Sequence, residues 1–421
     1  MARVRTQLMI VFSVLVLGSA AAANAQDKLE RIEGDEQTTV ETFAWLPYVF
    51  YTANFKLAFG AGAASYGYGQ PQLSLAGTAF ATTNGSWGIL ANANNLRLRS
   101  NGRLFMDVIG GYIRYAEKDS YVSGNPDFPD EQAGSNDSSK ANFLDSPARN
   151  GFVDVRLRYL LPIGFGRDTI INTFVVQDGI LVSGSTGGWT WDPTISGRTY
   201  LGLDFFYNTQ TLTPDSGDRP YNTNGFTFTL EYDNTDFWLN PTRGSRQLLW
   251  LTRDFGLGNS SGSWTMVELE VAKFIDLGSS RAFRQSVIAL DLWTADTLSG
   301  RAPFYEGPRL GGLNRLRGYR QNRFHDLSAI YYCAELRVIP DWSPLNSIDH
   351  IGPITFNWWQ FVAFVEVGRV SPTYNLRELH SRMKADVGVG LRTLIKSAVV
   401  RADVGFSHEG WQLSAMAGHT F

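Results

Sequence analysis

The chain has 421 residues, a formal net charge of −3 and a single cysteine, Cys333. One thiol excludes a disulfide-built scaffold and any cysteine-based metal site, and the mild acidity argues against nucleic acid as a partner. Aromatic residues at 13% and 42 glycines, without long helical patterns, suggest an all-β transmembrane barrel, with a soluble secreted sandwich or propeller as the alternative.

In chain order, the first residues read as a secretory signal peptide. Arg3 and Arg5 are its charged region, Leu8 to Leu17 its apolar stretch and Ala23-Asn24-Ala25 its cleavage site. The apolar stretch is about half the roughly 20 residues a membrane-spanning helix needs, so residues 1–25 are expected to be removed. Without Arg3 and Arg5 the net charge becomes about −5. Residues 26–44 read as a short acidic and polar periplasmic segment, too short for an independent domain, which usually needs about 50 residues or more.

From residue 45 to 421 a single barrel is expected. Its clearest signals are alternations such as Met383, Ala385, Val387, Val389 and Leu391 against Lys384, Asp386, Gly388, Gly390 and Arg392. Lipid outside and a polar lumen inside would give that pattern; a sheet with one wet face would give it too. The expected strands are 47–60, 71–83, 86–99, 102–116, 150–163, 168–182, 197–211, 225–236, 245–255, 263–275, 284–296, 328–340, 359–369, 383–393, 398–407 and 411–421. That makes sixteen, the even number bacterial single-chain barrels require. Asn84-Gly85 and Asn101-Gly102 are hairpin turns. With a periplasmic amino end, the polar stretch 117–149 falls on the periplasmic side, where connections should be short, and so fits poorly.

The most informative stretch is Gly311-Gly312-Leu313-Asn314-Arg315-Leu316-Arg317-Gly318-Tyr319. Together with Ala302-Pro303-Phe304-Tyr305-Glu306 and Arg309-Leu310, it resembles the sixth-loop signature of the BamA/TamA (bacterial surface antigen) superfamily. Tyr232-Asp233-Asn234-Thr235-Asp236 and Asn240-Pro241-Thr242-Arg243-Gly244 are similar to that family's strand-and-turn motif, and Phe364-Val365-Glu366-Val367-Gly368 to its F-x-[DE]-x-G strand. The resemblance spans about residues 225 to 421, and the short amino-terminal segment points to a branch without periplasmic POTRA domains. It implies a loop folded into the barrel, with Arg317 paired to Glu366. Alternation independently places Phe364, Glu366 and Gly368 on one face, and Tyr331, Cys333, Glu335 and Arg337 on one face of the preceding strand. Glu335 is therefore a second acceptor. Gly311, Gly312 and Gly318 would let the loop turn and lie close to the wall.

The last segment, Trp411 to Phe421, resembles the closing strand of outer-membrane barrels, so Phe421 is expected to serve as an assembly signal to the machinery that inserts them. Trp45, Tyr48, Trp238, Trp264, Trp342, Trp358 and Trp359 are expected in the membrane-interface girdle. Glu268, Glu270, Asp291, Lys384, Asp386, Arg392, Arg401 and Asp403 are expected to compensate one another in the lumen. Of the histidines, His325, His350, His380 and His408 fall in loops or turns and His419 near the rim. None is paired in the manner of a hydrolase, and no enzyme, metal site or cofactor is expected. The resemblance implies a role in inserting or translocating polypeptide at the bacterial outer membrane, embedded in its lipid. A passive diffusion channel and a structural surface antigen are the alternatives.

Overall fold

The computed structural model of the chain describes residues 28–32, 42–52, 54–99, 102–342, 350–351, 354–395 and 398–421. The expected signal peptide, and most of the segment expected at 26–44, lie outside the described residues.

A short strand, β1 (Lys28–Ile32), comes first. The wall then runs through β2 (Thr42–Thr52), β3 (Lys56–Tyr66), β4 (Ser74–Thr82), β5 (Trp87–Arg97), β6 (Leu104–Ser120) and β7 (Leu144–Leu160). Two short strands, β8 (Asn172–Gln177) and β9 (Ile180–Ser183), lie off the wall, which resumes with β10 (Arg198–Leu212), β11 (Arg219–Asp233), β12 (Gly244–Phe255), β13 (Ser263–Gly278) and β14 (Phe283–Ser299). A loop carrying the small hairpin β15 (Arg309–Leu310) and β16 (Phe324–His325) leads to β17 (Ser328–Pro340). After the two-residue β18 (His350–Ile351), the wall ends with β19 (Ile354–Ser371), β20 (Lys384–Ile395), β21 (Ala398–Ser407) and β22 (Gly410–Ala417).

Leaving β18 aside, sixteen strands form the barrel. Each pairs antiparallel with its neighbour along the wall, β7 meeting β10 and β14 meeting β17 across their long connections. Among the described residues no register joins β2 to β22; β2 pairs with β3, and β22 with β21. Phe228, Val387, Val389 and Leu413 point outward and are exposed, while Glu231, Asp386, Arg401 and Asp403 are buried inside. This arrangement leaves apolar side chains for lipid and satisfies the backbone between strands, as a bilayer demands.

Two expected strands are corrected, and the errors cancel in the count. The strand expected at 47–60 is a hairpin: Tyr48 and Gly60 face each other across β2 and β3. Its turn lacks an Asn-Gly or Asp-Gly signal and instead places Lys56 at φ 55°. The strand expected at 168–182 is not in the wall. It is β8 and β9, which form a three-stranded sheet with β1. The shift in parity moves residues 121–143, the connection from β6 to β7, to the mouth remote from the chain termini. The poor fit of 117–149 disappears, because β6 and β7 themselves take up its two ends.

The 161–197 connection instead lies at the mouth that carries the termini. Phe174 and Val176 of β8 pack with Phe237, Leu239, Ile339, Trp358, Leu394 and Val399. The Trp358 indole N–H donates to the Gly179 carbonyl at 3.0 Å. The aromatic girdle needs the same kind of correction. Trp45 and Trp342 are exposed, but Tyr48, Trp264, Trp358 and Trp359 are buried. Residue type marked these side chains as amphipathic; only strand phase determines the face they occupy.

The turn from β11 to β12 explains its motif. The Asp236 carboxylate accepts from the backbone N–H of Phe237, Thr242 and Arg243 at 3.0, 2.9 and 3.2 Å, and from the Thr242 hydroxyl. Asn234 ties the turn to the 161–197 connection: its side chain donates to the Thr190 carbonyl at 2.6 Å and accepts from Ser196 at 2.6 Å. Gly244 has φ +96°, and a Cβ there would lie 1.9 Å from the Asn234 carbonyl oxygen. Gly244→Ala is expected to destabilise the folded barrel by about 1–3 kcal/mol. A urea-unfolding midpoint in detergent equal to that of the wild type would contradict this account.

Candidate functional site: a loop pinned inside the barrel

Residues 300–327 fold into the barrel from the remote mouth. Gly311 and Gly312 lie at φ 102° and 113°, and Gly311 closes a turn by donating its N–H to the Arg315 carbonyl at 2.9 Å. Leu316 is left-handed at φ 52°, a conformation that costs a residue with a side chain about 1–3 kcal/mol. Its fully buried side chain, packed with Trp293, Leu310, Tyr319, Phe324 and Tyr331, holds it there. The bend at Leu316 aims the next residue at the wall.

That residue, Arg317, is 1% exposed. Its Nε meets Glu366 Oε1 at 3.0 Å, its Nη2 meets Glu335 at 2.8 Å and its Nη1 meets Asp403 at 3.1 Å. Its guanidinium carbon sits 3.5 Å from the centre of the Phe364 ring, a cation–π contact in a site from which water is excluded. The fork of N–H groups thus reaches carboxylates from β19, β17 and β21, which one point charge could not do. Tyr331 donates its hydroxyl to Glu366. The register explains this convergence, since Glu366 lies between Cys333 on β17 and Asp386 on β20.

The loop backbone is held as firmly as the side chain. The Arg317 N–H donates to Glu366 Oε2 at 2.6 Å, and the Gly318 N–H donates to Asp386 Oδ2 at 2.7 Å. Gly318 needs no unusual φ; its glycine is required by close approach, because a Cβ would sit 2.7 Å from the Asp386 Cβ. Across the contact, a Cβ on Gly405 would lie 2.6 Å from the Gly318 nitrogen. Tyr319 donates to the Ala385 carbonyl at 3.1 Å and bonds His408 Nδ1 at 2.9 Å. Gly368 lies against Leu310, whose Cδ1 would be 2.9 Å from an added Cβ.

The chain end joins this cluster and corrects an expectation. The last strand stops at Ala417, and Gly418, at φ 93°, turns the final residues into the lumen. The strand expected over 411–421 therefore ends at Ala417, and Phe421 lies beyond it. Its ring lies 6.2 Å from Phe274 and 5.0 Å from the Arg337 guanidinium. The Thr420 hydroxyl accepts from Arg401 and Arg392 at 3.1 and 3.2 Å and donates to Glu335 at 3.1 Å. His419, expected near the rim, is inside, bonded to Arg392 at 2.9 Å and to the Leu239 carbonyl at 2.7 Å. The phases of Asp386, Arg392, Arg401 and Asp403 were readable from alternation. Their partners, and the part played by Thr420, depend on register and on a tail that leaves its strand.

A cap covers the loop at the remote mouth. Arg323 bonds Glu409 at 2.8 Å and Ser138 Oγ at 3.0 Å, and Arg320 pairs with Asp119 at 2.6 Å. His325 bonds the Tyr121 carbonyl at 2.6 Å through Nε2 and donates its backbone N–H to Gly134 at 2.8 Å. Burial pushes the His325 imidazole below its ordinary value, with Arg301, Arg309 and Arg323 adding to the effect against the bond to Tyr121. Because the folded state favours neutral His325, its contribution is complete above an unfolded value of about 6.5 and is lost as pH falls below it. Proteolysis of the 121–143 cap is expected to accelerate below about pH 6.5, and less so in His325→Gln; equal acceleration in both would contradict this. Among the described residues, no group of three His, Cys, Asp or Glu side chains gathers as a metal site.

Residues 186–414, more than half of the chain, match the Omp85 superfamily domain. The chain belongs to the Omp85 superfamily. Solved Omp85-like barrels share its fold. BamA from Haemophilus ducreyi lacking POTRA domains 1-3 aligns with TM-score 0.52 and 14% identity, covering 90% of this chain and 71% of that one. CdiB from Acinetobacter baumannii aligns with TM-score 0.52 and 10% identity over 90% of this chain and 60% of that one. CdiB from Escherichia coli aligns with TM-score 0.52 and 10% identity over 89% and 62%. The chain thus spans about six tenths of the CdiB chains' length. No curated protein matches the sequence. As an Omp85-family barrel, this is an outer-membrane β-barrel protein.

Proposed function

We propose that this Omp85-family barrel inserts or translocates polypeptide at the outer membrane, with the loop at 311–319 as its fixed lumenal element. The mouth carrying the termini faces the periplasm, and the 121–143 cap faces outward. The observation that carries this reading is the Arg317 cluster, in which one loop side chain holds carboxylates from three strands and keeps the loop across the lumen. The β2–β22 boundary supports it. Among the described residues no ladder joins these two strands; strands that pair weakly offer N–H and C=O groups for another strand, and this boundary is where the wall would part.

The test is deletion of the gene, complemented by wild type or by Arg317→Ala, with surface and secreted polypeptides compared by mass spectrometry. The expected result is loss of particular polypeptides on deletion, restored by wild type and not by the folded variant. A large steady conductance of the wild type in planar bilayers, unchanged in the variant, would assign the protein as a diffusion channel. No change in any polypeptide on deletion would leave a structural surface antigen.

A further inference from the structure

The lipid-facing side of β13, β14, β17 and β19 is not evenly filled. Register places Lys273, Leu290, Ala334 and Val365 in one row across these strands. The next row, farther from the mouth that carries the termini, is Val271, Leu292, Tyr332 and Val367. Leu290 and Val365 stand out from the wall, 39% and 46% exposed, and between them Ala334 contributes only a methyl group. The result is a groove of about 360 Å³, whose outward-pointing side chains are apolar but for Tyr332 and, at one end, Lys273.

A lysine on a lipid-facing row needs a reason. An ammonium is costly against hydrocarbon and least so near the interfaces, and Lys273 lies five residues before β13 ends at Gly278. Its Nζ sits 5.4 Å from the centre of the Trp191 ring. Trp191 belongs to the 161–197 connection and is 59% exposed. A tryptophan beside a long cationic side chain marks the headgroup level of a bilayer. Arg149, on the outward face of β7, has Asp218 at 3.3 Å. Lys273 has no carboxylate partner among the described residues. Its charge is left for a group outside the chain, and the groove beside it is open to lipid.

We propose that this face holds one anionic glycerophospholipid of the leaflet at the termini-bearing mouth. Its phosphate meets the Lys273 ammonium beside the Trp191 indole, and an acyl chain lies over Ala334 between Leu290, Leu292 and Val365. The preference for a net negative headgroup follows from charge. With no carboxylate beside Lys273, the amine of a zwitterionic headgroup finds no partner and is repelled by the lysine. The site requires only that the barrel lie in a bilayer, so it stands whether or not the barrel moves polypeptide.

The test uses the full chain in detergent micelles, titrated with phosphatidylglycerol or with phosphatidylethanolamine of the same acyl chains. Bound lipid is counted by native mass spectrometry, and folding of each variant is checked by heat-modifiable migration on gels. One phosphatidylglycerol is expected to bind saturably and more tightly than phosphatidylethanolamine. Lys273→Gln is expected to weaken it roughly fivefold and to abolish the preference. Ala334→Leu, which fills the groove and leaves every charge in place, is expected to weaken both lipids alike. Equal binding of the two headgroups by the wild type, or an unchanged preference in Lys273→Gln, would overturn the phosphate site. Wild-type binding in Ala334→Leu would overturn the groove as the seat of the acyl chain.

Discussion

Replacing Arg317 by alanine is expected to release the lumenal loop while leaving the wall folded. The substitution leaves Glu366 without a cation in a site where the arginine and all three carboxylates are fully enclosed, while Glu335 keeps Arg337 and Arg392 and Asp403 keeps Arg401. Removing one partner of a buried pair costs about 3–5 kcal/mol, mainly because the other charge is left uncompensated. The wall has its own ladders, none of which runs through residues 311–319, so the loss falls on loop position. Hydrogen exchange reads this directly through the Arg317 and Gly318 amides, which donate to Glu366 and Asp386. In the Arg317→Lys variant the charge remains but the fork is lost, and an intermediate loss of protection at Gly318 is expected. Unchanged protection of Gly318 in Arg317→Ala would show that the backbone contacts hold the loop without the guanidinium.

Gly405→Ala is expected to reach the same released state by a steric route. The added Cβ would stand 2.6 Å from the Gly318 nitrogen and 2.7 Å from the Arg317 carbonyl carbon. Both are backbone atoms, so no side-chain rotation relieves the contact, and overpacking of this kind costs about 1–3 kcal/mol. Every charged group of the cluster is retained. Loss of Gly318 protection in both variants would therefore trace the effect to loop position and not to altered lumenal charge. Native protection in Gly405→Ala would mean that β21 shifts outward to accommodate the methyl group, and would refute the steric account.

What the sequence disclosed, and what it did not, follows from the range of the interactions. Alternation is local, so the inward phases of Glu335, Glu366, Asp386 and Asp403 were readable from the sequence. The hairpin at β2 and β3 was not, because its turn puts a lysine rather than a glycine at positive φ. The segment Asn172–Gln177 alternates like a wall strand, yet it buries Phe174 and Val176 against Leu239 and Trp358 in a sheet of its own. The fate of Phe421 depended on Gly418, whose left-handed backbone ends the strand three residues before the terminus. The tyrosine, arginine and threonine partners of the pin come together only through register and the inward turn of the tail. No periodicity carries that information.

The sequence separations within the lumen bear on the order in which the molecule is built. Arg317 reaches Glu366 and Asp403 across 49 and 86 residues, and Thr420 across 103. The cap contacts span far more: 201 residues from Arg320 to Asp119 and 185 from Arg323 to Ser138. Pairings of low contact order form sooner, because less loop-closure entropy opposes them. By that measure the loop is expected to seat against β17, β19 and β21 before the 121–143 cap closes over it, so the pin is set before the remote mouth is covered.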